Sequence, residues 1–308
     1  MKHRLLVLSL FFVAFTSSAQ QISSADKQML AKKEDSLKVD ALKIIQAINA
    51  EERFKADSNF TKMFVRALKT PNSFYYPFDS LITISKLYAP DSSFRIFTWQ
   101  MMINENVIRQ HGAIQMKTYD GSLKLYPLID KSDVTINQSD TIGNNFGWMG
   151  AVYYKIVQKK SSNQNYYTLI GYDENNIRST KKIIEVLNFT SGEPQFGGRF
   201  FSFEEDAVFK PSQSRFILEF KKTAGARLTY DEDLDLIIYE HLVSESNEPN
   251  KKWTLVGDGD YEGFKWKNGK WIHIEKVFSL KTPEGQTPMP QPLRDEKGNI
   301  KEGVLKEN

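Results

Sequence analysis

The chain reads as a mainly β protein with an N-terminal helical segment, its antiparallel sheets forming a sandwich, a barrel or a propeller-like array. Three observations predict this class. Apolar residues follow a helical period only between residues 23 and 69. From Leu81 onward the period is two, in short runs separated by turn residues. Near the end, Asn268-Gly269 stands between two alternating runs, the strongest short-range signal for a hairpin.

Taken in order, residues 1–19 carry the features of a secretory signal peptide. Met1-Lys2-His3-Arg4 is a basic start, Leu5 to Phe15 is apolar apart from Ser9, and Thr16-Ser17-Ser18-Ala19 supplies small residues before Gln20. The apolar run is too short to span a bilayer stably. The mature chain is therefore expected to begin at Gln20.

Residues 20–78 form the helical lead. Leu37, Ala41, Ile44 and Ile48 fall on one face of a first helix. Asp57-Ser58 is expected to cap a second helix that presents Phe60, Met63, Phe64, Ala67 and Leu68. Thr70-Pro71 stops it, because the residue before proline is driven out of the helical region.

Residues 79–280 form the antiparallel β domain. Its strands are expected at Ile82–Ile84, Phe94–Trp99, Leu123–Tyr126, Ala151–Val157, Tyr166–Gly171, Lys182–Phe189, Arg215–Phe220, Ala226–Tyr230, Leu236–Val243 and Trp253–Val256. Over Lys181–Leu187 helix remains an alternative to the strand, because a short apolar run does not distinguish them. In the final hairpin a two-residue loop at Asn268-Gly269 sets Lys267 opposite Lys270, Trp266 opposite Trp271, and Phe264 opposite His273. Residues 281–308, rich in proline and charge, read as a loosely ordered tail.

Composition narrows the function classes. Removal of the leader takes Lys2 and Arg4 and leaves 39 basic against 38 acidic residues, too balanced for a nucleic-acid footprint. Cysteine is absent, so there is no disulfide, no thiolate metal site and no lipidated thiol. No second long apolar run suggests an integral membrane anchor.

No motif names a catalytic residue, a metal site or a cofactor. The histidines beyond the leader, His111, His241 and His273, lack metal-ligand spacing and read as structural. Asp258-Gly259-Asp260-Tyr261-Glu262-Gly263 imitates the start of a calcium loop, but Gly269 stands where the closing glutamate belongs, so a polar turn is expected. Nucleophile elbows and phosphate-binding glycine loops are missing. The affirmative binding clue is aromatic: Trp253, Trp266 and Trp271 present flat faces suited to a glycan or a protein partner if exposed, against the alternative that they are core.

Phe94-Arg95-Ile96-Phe97-Thr98-Trp99, Tyr166-Tyr167-Thr168-Leu169-Ile170-Gly171-Tyr172-Asp173 with Lys181-Lys182-Ile183-Ile184, and Asp260-Tyr261-Glu262-Gly263-Phe264 occur here in that order. Together they resemble an uncharacterised family of secreted proteins of Bacteroidota-type Gram-negative bacteria. The resemblance implies a periplasmic or secreted location and transfers no activity. The expectation is an exported protein that binds or scaffolds without catalysis. The alternative is a carboxylate- or metal-dependent hydrolase acting on envelope polymers or glycans.

Overall fold

The computed structural model describes residues 22–278. The expected leader and the tail from 281 onward lie outside the described residues.

Helix α1 spans Ser24–Gln46 and opens on Ser23, whose side-chain oxygen accepts from the Asp26 backbone N–H at 3.0 Å. Leu37, Ala41 and Ile44 are buried as their spacing requires. Ile48 is not: α1 ends at Gln46, and Ile48 is 93 % exposed in the connection. Helix α2 spans Ala50–Leu68 and begins at Asn49, well before Asp57-Ser58. Asp57 lies inside it, where its carboxylate accepts the Trp99 indole N–H at 2.9 Å. A buried partner on the neighbouring sheet outweighs the residue's preference for a cap.

Three sheets follow. The first contains β1 (Ser85–Tyr88), β2 (Phe94–Asn104), β3 (Val107–Met116) and β4 (Lys124–Ile129) in that order, all antiparallel. The expected strand over Ile82–Ile84 is a turn instead, with Ile82 at the surface, and pairing starts at Ser85. The second sheet runs β5 (Gly143–Asn144), β9 (Gln195–Phe196), β8 (Ser179–Asn188), β7 (Gln164–Asp173) and β6 (Val152–Ser161). In it, β11 (Arg215–Lys221) shares with β9 the outer edge of β8. The third runs β10 (Phe201–Ser202), β15 (Lys270–Ile274), β14 (Leu255–Lys267), β13 (Leu236–Ser244) and β12 (Leu228–Asp231). The two-residue contact of β10 with β15 is the parallel pair among the described ladders. None of the sheets closes into a barrel.

The sheets stack, with the helix pair as an outer layer. Phe97, Trp99 and Met101 of β2 face the helices, whereas Phe94 and Ile96 face the second sheet. Likewise Ile183 and Leu187 of β8 look toward the first sheet, and Ile184 and Val186 toward the third. A strand covered on both faces is apolar at successive positions, and this settles the Lys181–Leu187 run as strand.

The last hairpin has the expected register throughout, with Phe264 opposite His273, Trp266 opposite Trp271 and Lys267 opposite Lys270. Asn268 and Gly269 take φ of 52° and 80°, the two positive values of a type I′ turn. The Trp rings meet edge to face with centroids 5.3 Å apart. Trp271 is fully buried and donates its indole N–H to Thr168 Oγ1 of the second sheet at 2.8 Å. Trp271→Ala is expected to lower the unfolding free energy by roughly 3–5 kcal/mol, and half-buried Trp266→Ala by clearly less. Urea denaturation measures both; a similar small loss in each would remove Trp271 from the core.

Candidate functional site

A cleft of about 530 Å³ opens between the edge of β11 and the strands β13 and β14. Its wall on one side is the segment 135–139, which the fold fixes firmly. Ser139 accepts the backbone N–H groups of Ser214 and Arg215, each at 2.9 Å. The Arg215 guanidinium donates to the Gln138 carbonyl at 2.5 Å and to Glu185 through Nε and Nη2 at 2.8 and 2.5 Å. The opposite wall carries Tyr239, His241 and Leu242 from β13 and Leu255 and Glu262 from β14, with Lys252 and Lys210 at the rim.

A bulge aims His241. Glu240 pairs with Tyr261 and Leu242 with Gly257, so His241 stands opposite three residues of β14 rather than one. Gly259 absorbs the excursion at φ +90°, which favours a residue without Cβ. The displaced Asp258 lies 2.8 Å from His241 Nδ1. The acidic segment expected as a turn is thus a bulge within β14. On its other side His241 Nε2 is 3.6 Å from Glu262 Oε1.

Behind this rim lies a polar cluster centred on His273, whose side chain is 1 % exposed. Its Nδ1 is 2.7 Å from Asp206 Oδ1, and its Nε2 is 3.0 Å from Glu262 Oε2 and 2.7 Å from the Tyr239 hydroxyl. Tyr239 donates its proton to the same Glu262 oxygen at 2.6 Å. Burial alone would drive His273 toward the neutral form, but its bonds to Glu262 and Asp206 prevail and raise its pKa. Burial likewise works against the Glu262 carboxylate, and the bonds from His273 and Tyr239 hold it below the usual range. Tyr239 is pushed well up by burial and by the neighbouring Glu262 charge, so it keeps its proton. Both ring nitrogens of His273 are thus engaged, one by Asp206 and the other by Glu262 and Tyr239.

The three tryptophans do not form one platform. Trp271 is core. Trp266 is half-buried against Trp271 and Tyr166. Trp253 lies at the opposite end of β14, 40 % exposed, with the Arg178 guanidinium 5.6 Å above its ring. Its neighbour Lys252 lines the cleft.

Asp206, Tyr239, Glu262 and the pairing of His241 with Asp258 were not evident from sequence motifs. One signal was available: the hairpin register puts His273 opposite Phe264, and Glu262, two positions earlier, shares that face. Among the described residues, no group of three or more His, Asp or Glu side chains has the geometry to hold a metal ion, and no helix is long and apolar enough to cross a membrane. Comparisons with protein-family models, curated proteins and solved structures return no match to this chain.

His273 binds its proton more tightly in the folded protein than in the unfolded chain, where the imidazole titrates near 6.5. The stability it contributes is complete below about pH 6.5 and is lost as pH rises through the higher folded value. Glu262, held low, contributes above about pH 4.5 and loses that contribution as pH falls. The stability advantage of the wild type over His273→Gln should therefore shrink from pH 6.5 to 9 in urea titrations. An advantage that stays constant over that range would mean that the imidazolium clamp does not form.

Proposed function

We propose that the protein is exported and works by binding or scaffolding rather than by catalysis, with the cleft beside β11 as the place where it holds its partner. The carrying observation is the clamp on His273. A general acid or base needs one ring nitrogen open to substrate, and here Asp206 takes one while Glu262 and Tyr239 take the other. What remains open to the cleft is recognition chemistry: His241, the lysines at its rim, the amides of residues 137 and 138, and apolar sockets at Phe216, Leu218, Leu242 and Leu255. Export is supported by the basic, apolar and small-residue order of residues 1–19. The resemblance to a Bacteroidota-type secreted family points to the same periplasmic or extracellular place.

One feature favours the second reading, a hydrolase. Asp258 orients His241 through Nδ1 while Nε2 looks toward Glu262, the order of an assisted base.

The exported protein is expected to have an intact mass that begins at Gln20. His241→Ala and Lys252→Ala, both at the rim, should change unfolding free energy by no more than about 0.5 kcal/mol. Each should still weaken capture of the polypeptide or envelope glycan that the wild type retains. Turnover of a polysaccharide or peptide by the wild type, abolished in Glu262→Gln, would replace binding with hydrolysis.

A further inference from the structure

We propose that the cleft receives an extended, acidic segment of a partner protein, which adds as a further strand to the open edge of β11. This inference rests on the reading of the cleft as a binding site and names the class of its occupant.

The argument begins with the backbone. β11 pairs with β8 along one edge. Arg215 turns its N–H the other way, to the Ser139 carbonyl at 2.9 Å. The two-residue period then points the N–H and C=O groups of Ile217 and Glu219 in that same outward direction. None of these four groups has a backbone partner among the described residues. Ser139 thus fills the first rung of a ladder whose next rungs stand open.

The cavity lies along this edge. Phe216, Ile217, Leu218 and Glu219 all line it. Successive strand residues point to opposite faces, so four in a row line one cavity only where it runs beside the strand. The volume of about 530 Å³ lies within the range of ligand pockets. Leu218 and Leu242 offer apolar contact to alternate side chains of an added strand, as strand addition requires.

Charge selects the sequence of the guest. Glu262 already accepts from Tyr239 and His273, and Glu219 accepts from Ser179 Oγ at 2.6 Å and Asn175 Nδ2 at 3.2 Å. By contrast, among the described residues the Lys252 ammonium has only the Pro249 carbonyl, at 3.4 Å, whereas Lys181 stands opposite Glu219 and Asp173 and is shared between them without a close ion pair. Three lysines against two carboxylates give the cleft lining an excess of positive charge, with Lys252 the lysine left without an acidic partner among the described residues. A glycan fits less well, because Phe216 and Tyr239 pack on each other and on Phe264, with centroids 4.6, 5.0 and 5.7 Å apart, rather than presenting a flat ring platform to a sugar. At the other edge of the sheet, Lys155 and Lys159 of β6 are tied to Glu232 and Asp235, a charged edge that discourages strand addition.

The test pans a phage-displayed random peptide library against the mature protein. Enriched peptides are then titrated by fluorescence anisotropy against the wild type, Ile217→Pro, and the double variant Lys181→Glu, Lys252→Glu. Proline at 217 deletes an outward N–H and leaves the pairing with β8 intact. The expected peptides are acidic and β-prone, and bind at least tenfold more weakly to each variant. The same peptides N-methylated at alternate residues should also lose at least tenfold on the wild type, a readout that needs no altered protein. Peptides that bind Ile217→Pro as tightly, or that tolerate N-methylation at every position, overturn strand addition. If no peptide is enriched but an envelope glycan binds and is lost in the double variant, the peptide inference fails and the binding cleft stands. If neither class binds, both readings fall.

Discussion

The buried pair of Glu185 and Arg215 is the interaction on which the rest of the molecule is arranged. Both side chains are essentially without solvent access. Removing two charges from water costs several kcal/mol per ion, and that cost is offset only when every remaining lone pair and proton finds a partner. Here both carboxylate oxygens and four of the five guanidinium protons have partners. Glu185 takes the Tyr153 hydroxyl on its second oxygen, Tyr153 in turn accepts the Trp148 indole N–H at 2.7 Å, and Arg215 Nη1 donates to the Gln138 and Thr141 carbonyls. One chain of bonds thus joins β8 to β11, reaches into the core between the first two sheets, and pins the segment that walls the cleft. Losing either charge would strand the other, and the cleft wall would lose its anchor along with the core.

Arg95 solves the same problem without an acid. It is fully buried on β2 and donates to the Ser73 and Tyr76 carbonyls, the Tyr88 hydroxyl and Gln115 at 2.6–2.9 Å. The rings of Phe74, Phe78, Tyr88 and Phe97 surround its guanidinium at 4.6–5.7 Å. Burial lowers its pKa to about 10, which leaves it charged at neutral pH. Its carbonyl partners lie in the link between α2 and the first strand, so this cation fixes how the helical layer sits on the sheets. Glu34 does the converse from α1, accepting from Tyr76 and Ser80 of the same link at 2.5–2.7 Å.

The two histidines of the third sheet show how burial separates roles. His273 and His241 each touch Glu262, one on each carboxylate oxygen. His273 is enclosed, doubly bonded and structural. His241 is held at the rim by the bulge in β14, with Nδ1 on Asp258 and Nε2 toward Glu262. The same carboxylate therefore joins the buried His273 cluster to the rim of the cleft.

Local physics made much of the fold legible in the sequence. The Asn268-Gly269 hairpin followed residue by residue, because a two-residue loop with positive φ leaves one register. The α1 face at Leu37, Ala41 and Ile44, the change of period after the helices, and ten of the fifteen strands are legible for the same reason, whereas β3 (Val107–Met116), β1 and the two-residue strands β5, β9 and β10 are not. Errors arose where a distant partner decided. Asp57 forms no cap because the Trp99 indole is waiting for it, and Lys181–Leu187 was ambiguous because burial on both faces erases the alternation that marks a strand. The cleft was hidden almost entirely, since Asp206, Tyr239, Glu262 and His273 are separated by up to 67 positions and meet only through sheet pairing. Contacts between near neighbours set the helical lead and the closing hairpin, so the residue order alone reveals them. The stacking of the sheets, the unpaired edge of β11 and the excess charge of the cleft depend on which far-apart groups satisfy one another and which are left over, so they emerge only when the chain is folded.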